Sequence, residues 1–319
     1  MFSRQPAPLI GLDVSTSSVK LVELGQDRSG NLTLERCGIE LLESGWVSDG
    51  NIEKFDEVVE ATRRLVNRSG SKTKHVAMAL PASVVISKKI ILPGGLSERE
   101  MEVQVESEAN QYIPFSLDEV ALDFCVVGPS STSAGDVEVV IAASRKEKVE
   151  DRQGLAEAVG LTPVVMDVET YASRLAASRV IARLPGGGVD AVIALFEVGA
   201  LTSTLQVMRN DDLIYERDQV FGGAQLTQML VRQYGFTLDE AETKKRAGEL
   251  PDDYGPVVLQ PFVESLAQEI ERALKFFFTS TPHHRVDYIL LAGGTAGLPG
   301  LTEVVTRLTS FPCQVVNPF

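Results

Sequence analysis

Cysteine is scarce in this chain. Cys37, Cys125 and Cys313 are odd in number, far apart and without paired metal-ligand spacing, so neither a disulfide framework nor a thiolate metal site is expected. The three histidines, His75, His283 and His284, sit in no Cys or carboxylate pattern that would make a metal site or a nucleophilic triad, and they read as surface or turn residues. No apolar run approaches the ~20 residues that cross a bilayer, and no signal peptide precedes the first strand. The expected compartment is cytoplasmic. Positive charge is also short: 30 Lys and Arg stand against 44 Asp and Glu, for a net charge of -14. That balance argues against sequence-independent nucleic-acid binding, which needs a basic face. Walker-loop and GxGxxG spacings are absent as well.

What the chain does have is apolar content, 44% of 319 residues, enough for two domains or one large duplicated one. "LIGLDVSTSSVKLVEL" opens it with two apolar strands joined by a turn made of hydroxyl residues, which is a hairpin pattern. The pattern returns between Asp190 and Gly223 as "DAVIALFEVGALTSTLQVMRNDDLIYERDQVFGG". Asp13 falls on Glu197, Ser15 on Gly199 and Ser18 on Thr202, and each copy continues through an Asn or Asp turn into a third strand. Two related halves are expected.

Such hairpins have a chemical use. Backbone N–H groups in a tight turn form an anion-binding concavity, small residues let phosphate approach, and hydroxyls add donors. Two turns facing one another across a cleft would grip a polyphosphate. Asp13 and Glu197 would hold hydrated magnesium, an ion that keeps much of its water and needs only one or two carboxylates, and Lys20 would bring positive charge to the phosphates. Taken alone, "DVSTSS" is equally well an ordinary polar turn; its repetition favours phosphate.

Other stretches fit the same cleft. "ILLAGGTAGLPGL" is a buried strand running through Gly293 and Gly294 into a helix that begins near Leu301, and such a glycine turn lets backbone pack against a base or ribose. "FTLDEAETKKRAG" reads as a helix, opened by a Thr237/Glu240 capping box and closed by Gly248. Glu242 and Lys245 lie one turn apart on it, which by spacing alone is an ordinary exposed pair. "PGGGVD" at 185–190 marks a break. The helix through Val263, Leu266, Ile270, Leu274 and Phe277 has core periodicity, with its "KFFF" end buried.

Between these regions lies a segment of another kind. It reads as a strand at 84–92, a helix opened by a Ser97/Glu100 capping box, strands at 120–127 and 137–143, and a further helix and strand through Val165. Met101, Val105, Ala109 and Tyr112 recur at helical spacing and would cover a small sheet, while Glu98, Glu102, Glu106 and Glu108 point elsewhere.

"GLDVSTSSVKLVEL", "EVGALTSTLQV" followed by "FGG", "AETKK" and "LAGGTAGLPGL", in that order, resemble the actin-like ATPase superfamily of actin, Hsp70, sugar kinases and FtsA. The stretches "VAMALPASVVISKKIILPGGLSEREMEVQVESEANQYIPFSLDEVALDF" and "VVIAASRKEKVEDRQGLAEAVGLTPVVMDVETYA" resemble, more narrowly, the PilM family of type IV pilus assembly. The likeness covers nearly the whole chain. It implies an α/β actin-like ATPase fold of duplicated ribonuclease-H-like halves around a nucleotide cleft, with an inserted SHS2 (1C-type) subdomain. The first half would take residues 1–83 and 164–185, the insert 84–163 and the second half 186–319. "QVVNPF" stops before the last helix and closing small-residue motif of actin-like proteins, which reads as a truncated second half.

By position, the resemblance implies that Asp13, Ser15, Thr16, Ser17, Ser18 and Lys20 form the first phosphate loop and that Gly199, Ala200 and Thr202 form the second. Glu242 and Lys245 would lie near the ribose, and Gly293, Gly294 and Thr295 near the adenosine. ATP and magnesium are the implied cofactors. The family has Asp where this chain has Glu197, one methylene longer. The implied partner is the cytoplasmic N-terminal peptide of PilN, docking between the insert and the neighbouring first-half surface, with Asp118, Glu119 and Asp123 as an acidic rim for its arginine.

The expected function is an ATP-binding scaffold with at most slow hydrolysis, since grip on phosphates does not by itself position an attacking water. It would sit at the cytoplasmic face of a bacterial inner membrane through partners, recruit pilus platform and motor proteins, self-associate through a specific contact if at all, and support pilus biogenesis and twitching motility. An FtsA-like division protein shares the insert but expects an amphipathic membrane helix, and a small-molecule kinase of the same superfold expects a cleft Asp acting as base.

Overall fold

β1 (Ile10–Val14) and β2 (Ser18–Gln26) form the expected opening hairpin, and β3 (Leu32–Leu41) continues it antiparallel. The computed structural model describes residues 8–27, 31–130, 132–210 and 212–318, so 28–30 and Asp211, parts of the two expected Asn or Asp turns, lie outside it. After a short hairpin of β4 (Val47–Ser48) and β5 (Asn51–Ile52), helix α1 (Phe55–Ser69) leads to β6 (His75–Leu80). The α1 side chains at 58, 59, 61, 62, 65 and 66 are buried, the spacing of one helical face. They pack on Ile10, Leu12, Val19 and Leu21. Gly38 on β3 leaves room for this packing, because a Cβ there would come 2.8 Å from Leu65 Cδ1.

The chain then leaves this sheet. β7 (Val85–Pro93), α2 (Glu98–Ala109), β8 (Val120–Pro129) and β9 (Asp136–Arg145) make a three-stranded antiparallel sheet in the order β7-β9-β8, with one face under α2. Met101, Val105 and Ala109 are buried on Ile90, Leu92, Val139 and Ile141. The Ser97/Glu100 capping box opens α2. Tyr112 departs from the expected stripe: α2 stops at Ala109, so the helical spacing lapses, and the ring lies exposed with Lys88 Nζ 3.1 Å from its centroid.

α3 (Lys146–Ala158) and β10 (Thr162–Val168) return to the first sheet. β10 pairs parallel with β6, and Leu155 and Ala156 of α3 are fully buried in the first core. The structure thus places α3 with the first half, not with the small sheet as the sequence expectation had it. The first sheet runs β10-β6-β1-β2-β3.

α4 (Glu169–Ile181) carries the chain onward. The chain divides into two compact units at Ala172/Ser173, and Ala177, Val180 and Leu184 are buried against the second sheet. The stretch 173–185 therefore packs with the second half, contrary to the expected boundary. Within the expected break, Gly186, Gly187 and Gly188 all hold φ near +67 to +69°, a left-handed run that side chains with a Cβ resist.

The second unit repeats the first. β11 (Ile193–Val198), β12 (Ser203–Arg209) and β13 (Asp212–Gln219) form an antiparallel meander. α5 (Ala224–Tyr234), α6 (Leu238–Ala247), α7 (Gln260–Ser280), β14 (Tyr288–Ala292), α8 (Leu301–Thr309) and β15 (Cys313–Val315) follow. The order β13-β12-β11-β14-β15 matches the first sheet read from its β3 edge, β3-β2-β1-β6-β10, strand for strand, and in that direction the last two pairings of each are parallel. Phe262, Leu266, Ile270, Leu274 and Phe277 of α7 bury themselves on Phe196, Leu205 and Val207. One residue of the "KFFF" end departs from expectation: Phe276 is 44% exposed, because it points away from that stripe, and Arg217 stacks on its ring 4.0 Å from the centroid. Among the described residues, no helix is long and apolar enough to cross a membrane.

Candidate functional site

The two hairpin turns close in the same way. Ser15 N donates to Ser18 O at 3.0 Å, and at the matching place Gly199 N donates to Thr202 O at 2.9 Å. In the first turn Ser15 Oγ also donates to Ser18 O at 3.0 Å and lies 3.3 Å from Ser18 Oγ. The tip N–H groups of Thr16 and Ser17, and of Ala200 and Leu201, have no hydrogen-bond partner among the described residues. Donors grouped at a turn tip in this way suit an anion.

Strand register places the nearby charges. Asp13 lies opposite Lys20, and the Lys20 ammonium donates to Asp13 Oδ2 at 2.7 Å. Glu197 lies opposite Thr204, the counterpart of Lys20, and Thr204 Oγ1 donates to Asp218 Oδ1 at 2.7 Å. The Glu197 carboxylate instead accepts from Ser173 Oγ on α4, at 2.5 Å.

Around the second turn the backbones pack closely enough to require glycine. Gly223 N donates to Gly199 O at 2.9 Å, and Ala224 N, opening α5, donates to Ala200 O at 2.8 Å. A Cβ at Gly222 would stand 2.6 Å from the carbonyl oxygens of Gly199 and Ala200, and one at Gly293 2.4 Å from Val198 O. Thr295 Oγ1 donates to Gly199 O at 3.2 Å. Gly294, by contrast, faces open space, with nothing within 4 Å of an added Cβ. Gly199, Ala200, Gly293 and Thr295 thus converge at the start of α5, whose helix dipole favours negative charge there.

α6 joins this cluster through Thr227, a buried residue in the first turns of α5. Lys245 Nζ donates to Thr227 Oγ1 at 2.7 Å and to Glu242 Oε1 at 2.6 Å, Arg246 Nε donates to Glu242 Oε2 at 3.2 Å, and Thr227 also bonds Glu242. Burial alone would raise the Glu242 pKa, but the bond from Lys245, then those from Thr227 and Arg246, outweigh it and hold the carboxyl below its ordinary value. The pair is therefore no ordinary exposed one; the Lys245 side chain is only 22% exposed. The Thr237/Glu240 capping box and a left-handed Gly248 bound the helix.

Four contributors escaped the sequence reading. Gly222 and Gly223 had a visible signal, the Gly-Gly pair ahead of a helix, whereas Thr227 and Ser173 had none because their partners are remote in sequence. In the first unit, Arg152 on α3 is 2% exposed, and its Nη2 donates to Gly50 O at 3.1 Å. Burial lowers its pKa, opposed by the charges of Glu169, Asp151 and Asp13.

The acidic residues nominated for a partner do not form one rim. Asp118 lines an open cavity of about 430 Å³ beside α2, with Val103, Glu106 and Leu117, and its carbonyl accepts from Lys146 Nζ at 2.7 Å. Asp123 is exposed on β8 between Leu122 and Phe124, which pack on the core under α2, so strand alternation turns it to the other face.

Each turn by itself suits phosphate oxygens: the first offers tip N–H donors with Lys20 beside it, and the second offers tip N–H donors, is walled by glycines and has Lys245 on the neighbouring helix. Asp13 and Glu197, each a carboxylate on the strand that leads into its turn, are oxygen donors of the kind magnesium takes; among the described residues no group of three or more acidic, histidine or cysteine residues is placed to hold a metal.

Comparison with known proteins identifies the family and the fold. Residues 11–319 match the family described as type IV pilus assembly protein PilM. The chain is 28% identical to a chain of the PilM-PilN type IV pilus biogenesis complex, covering 99% of this chain and 89% of that one with a TM-score of 0.78. It is also similar to ethanolamine utilization protein EutJ from Carboxydothermus hydrogenoformans, at 19% identity, 98% and 85% coverage and a TM-score of 0.59. A further likeness is to MreB 5 of Spiroplasma citri bound to AMPPNP, at 12% identity, 98% and 92% coverage and a TM-score of 0.50; these last two speak to the fold alone. The fold is that of the actin-like ATPases, and the chain belongs to the type IV pilus assembly protein PilM family.

Proposed function

We propose that this chain is an ATP-binding scaffold of the type IV pilus inner-membrane platform that recruits the cytoplasmic N-terminal peptide of PilN. The observation that carries the nucleotide part is the repeated turn closure, Ser15 to Ser18 and Gly199 to Thr202, with donors left over at both tips. Ser15, Thr16, Ser17 and Ser18 of the first turn bind phosphate oxygens, and so do Gly199, Ala200 and Thr202 of the second. Lys20 exchanges part of its contact with Asp13 for phosphate charge. Glu242 and Lys245, already braced by Thr227, orient the ribose, and the backbone at Gly293, Gly294 and Thr295 lies against the adenosine. Asp13 and Glu197 would hold the accompanying magnesium ion through water. When bound, that ion neutralises phosphate charge.

Turnover is slow in this reading, because gripping phosphates does not place an attacking water. Nucleotide binding serves as a state signal. The three-stranded sheet with α2 acts as the SHS2-type insert and contributes the protein-binding surface, on which Asp118 and Glu119 favour a peptide carrying arginine. The likeness to a PilM chain that assembles with PilN supports that partner. Membrane attachment comes through PilN, and pilus biogenesis and twitching motility are the processes served.

Calorimetric titration with a synthetic PilN N-terminal peptide tests the scaffold part. One-to-one binding supports it. ATP affinity without peptide affinity would favour an FtsA-like or kinase role instead.

A further inference from the structure

Asp13 and Glu197 occupy matching places in the two hairpins, yet different devices hold them. Asp13 is held from the adjacent strand by Lys20 at 2.7 Å. The second hairpin has Thr204 at that place, and its hydroxyl is turned to Asp218. Glu197 is instead held from the helix above the sheet, by Ser173 Oγ at 2.5 Å. Glutamate has one more rotatable bond than aspartate, so without a holder its carboxylate samples more positions and pays more entropy when fixed.

Ser173 is well placed for the task. It lies one helical turn before Ala177, on the same face of α4, and Ala177 is fully buried against Leu195 and Leu290 of the second sheet. The serine is thereby presented by a packed helix to the end of β11. We infer that Ser173 is a positioning residue for Glu197, helping to fix the longer carboxylate where it would hold the waters of a nucleotide-bound magnesium ion. The inference rests on the nucleotide reading given above. Groups that orient a metal's direct ligands by a hydrogen bond commonly change metal affinity by about 10–100-fold when removed; Ser173 acts one shell further out, through Glu197 and water, which sets its expected effect at the low end of that range.

The test compares ATP affinity with magnesium and with EDTA in the intact chain and in Ser173→Ala, Ser173→Thr and the Ser173→Ala/Glu197→Gln pair, with melting temperatures alongside. Magnesium should tighten ATP binding by the intact chain, and Ser173→Ala should lose about tenfold of that increment while its affinity in EDTA stays within about twofold. Ser173→Thr keeps the hydroxyl and should keep the increment. In a Glu197→Gln background, Ser173→Ala should add no further loss. An unchanged increment in Ser173→Ala overturns the inference, as does an equal loss with and without magnesium, which would mark Ser173 as structural glue between α4 and the sheet. If Ser173→Ala does not fold, loss of the increment in a folded Ser173→Thr decides against it. Absence of ATP binding by the intact chain under either condition overturns the nucleotide reading itself, and the inference with it.

Discussion

Lys20 Nζ lies 2.7 Å from Asp13 Oδ2, with both side chains about 44% and 43% exposed. An ion pair this accessible contributes roughly 0–1 kcal/mol to folding, and the proposed nucleotide reading gives Lys20 a second task, charge for the phosphates. Lys20→Met should leave the melting temperature within a degree or two and weaken ATP binding about tenfold, the size of one lost charge-assisted hydrogen bond. Differential scanning fluorimetry and calorimetry on the same preparation check both halves.

The glycines around the second turn divide into two kinds. At Gly222 an added Cβ would meet two backbone carbonyl oxygens at 2.6 Å, whereas at Gly294 it meets nothing within 4 Å. Gly222→Ala should therefore destabilise the second unit by about 1–3 kcal/mol, as overpacking against backbone does. Gly294→Ala should fold normally and change nucleotide affinity alone. Urea unfolding curves for the two variants separate these outcomes.

The repetition of the hairpins, both capping boxes and the core face of α7 were legible from spacing, because each is a local pattern that propensity and periodicity express directly. α3 and α4 were not. Their sequences fix a helix but not the sheet it covers, and Leu155 and Ala177 reach partners set only by the completed topology. Glu242 and Lys245 looked like a surface pair for the same reason: Thr227, which braces them, lies on a different helix. Asp118 and Asp123 were grouped by closeness in sequence, which strand alternation undoes.

Glu242 gives a pH signature. Burial pushes its pKa up, but Lys245, Thr227 and Arg246 more than offset this, so its folded value lies below the ordinary 4.5. A carboxyl depressed in the folded state stabilises fully above its unfolded pKa, and that stabilisation is lost as pH falls through the folded value. Glu23 and Glu40 are depressed as well, so the contribution of Glu242 appears in a difference. Between pH 6 and pH 3, the intact chain should lose stability more steeply than Glu242→Gln, and denaturant titrations at half-unit steps measure it.

Asp118 and Glu106 line the same cavity beside α2, while Asp123 faces the other way. If the arginine of the PilN peptide enters that cavity, Glu106→Gln/Asp118→Asn should weaken peptide binding about two- to fivefold, as exposed pairs do, and flatten its salt dependence. Asp123→Asn should leave it unchanged. Fluorescence anisotropy with labelled peptide at 50 and 300 mM salt reads both.

The most direct measurement is calorimetric titration of the chain and of Asp13→Ala with magnesium-ATP, followed by the PilN peptide. The account predicts ATP binding by the intact chain, a marked loss of it in Asp13→Ala, and peptide binding by the intact chain. ATP binding equally strong in Asp13→Ala, or none in the intact chain, would contradict the assignment of the two turns to a nucleotide.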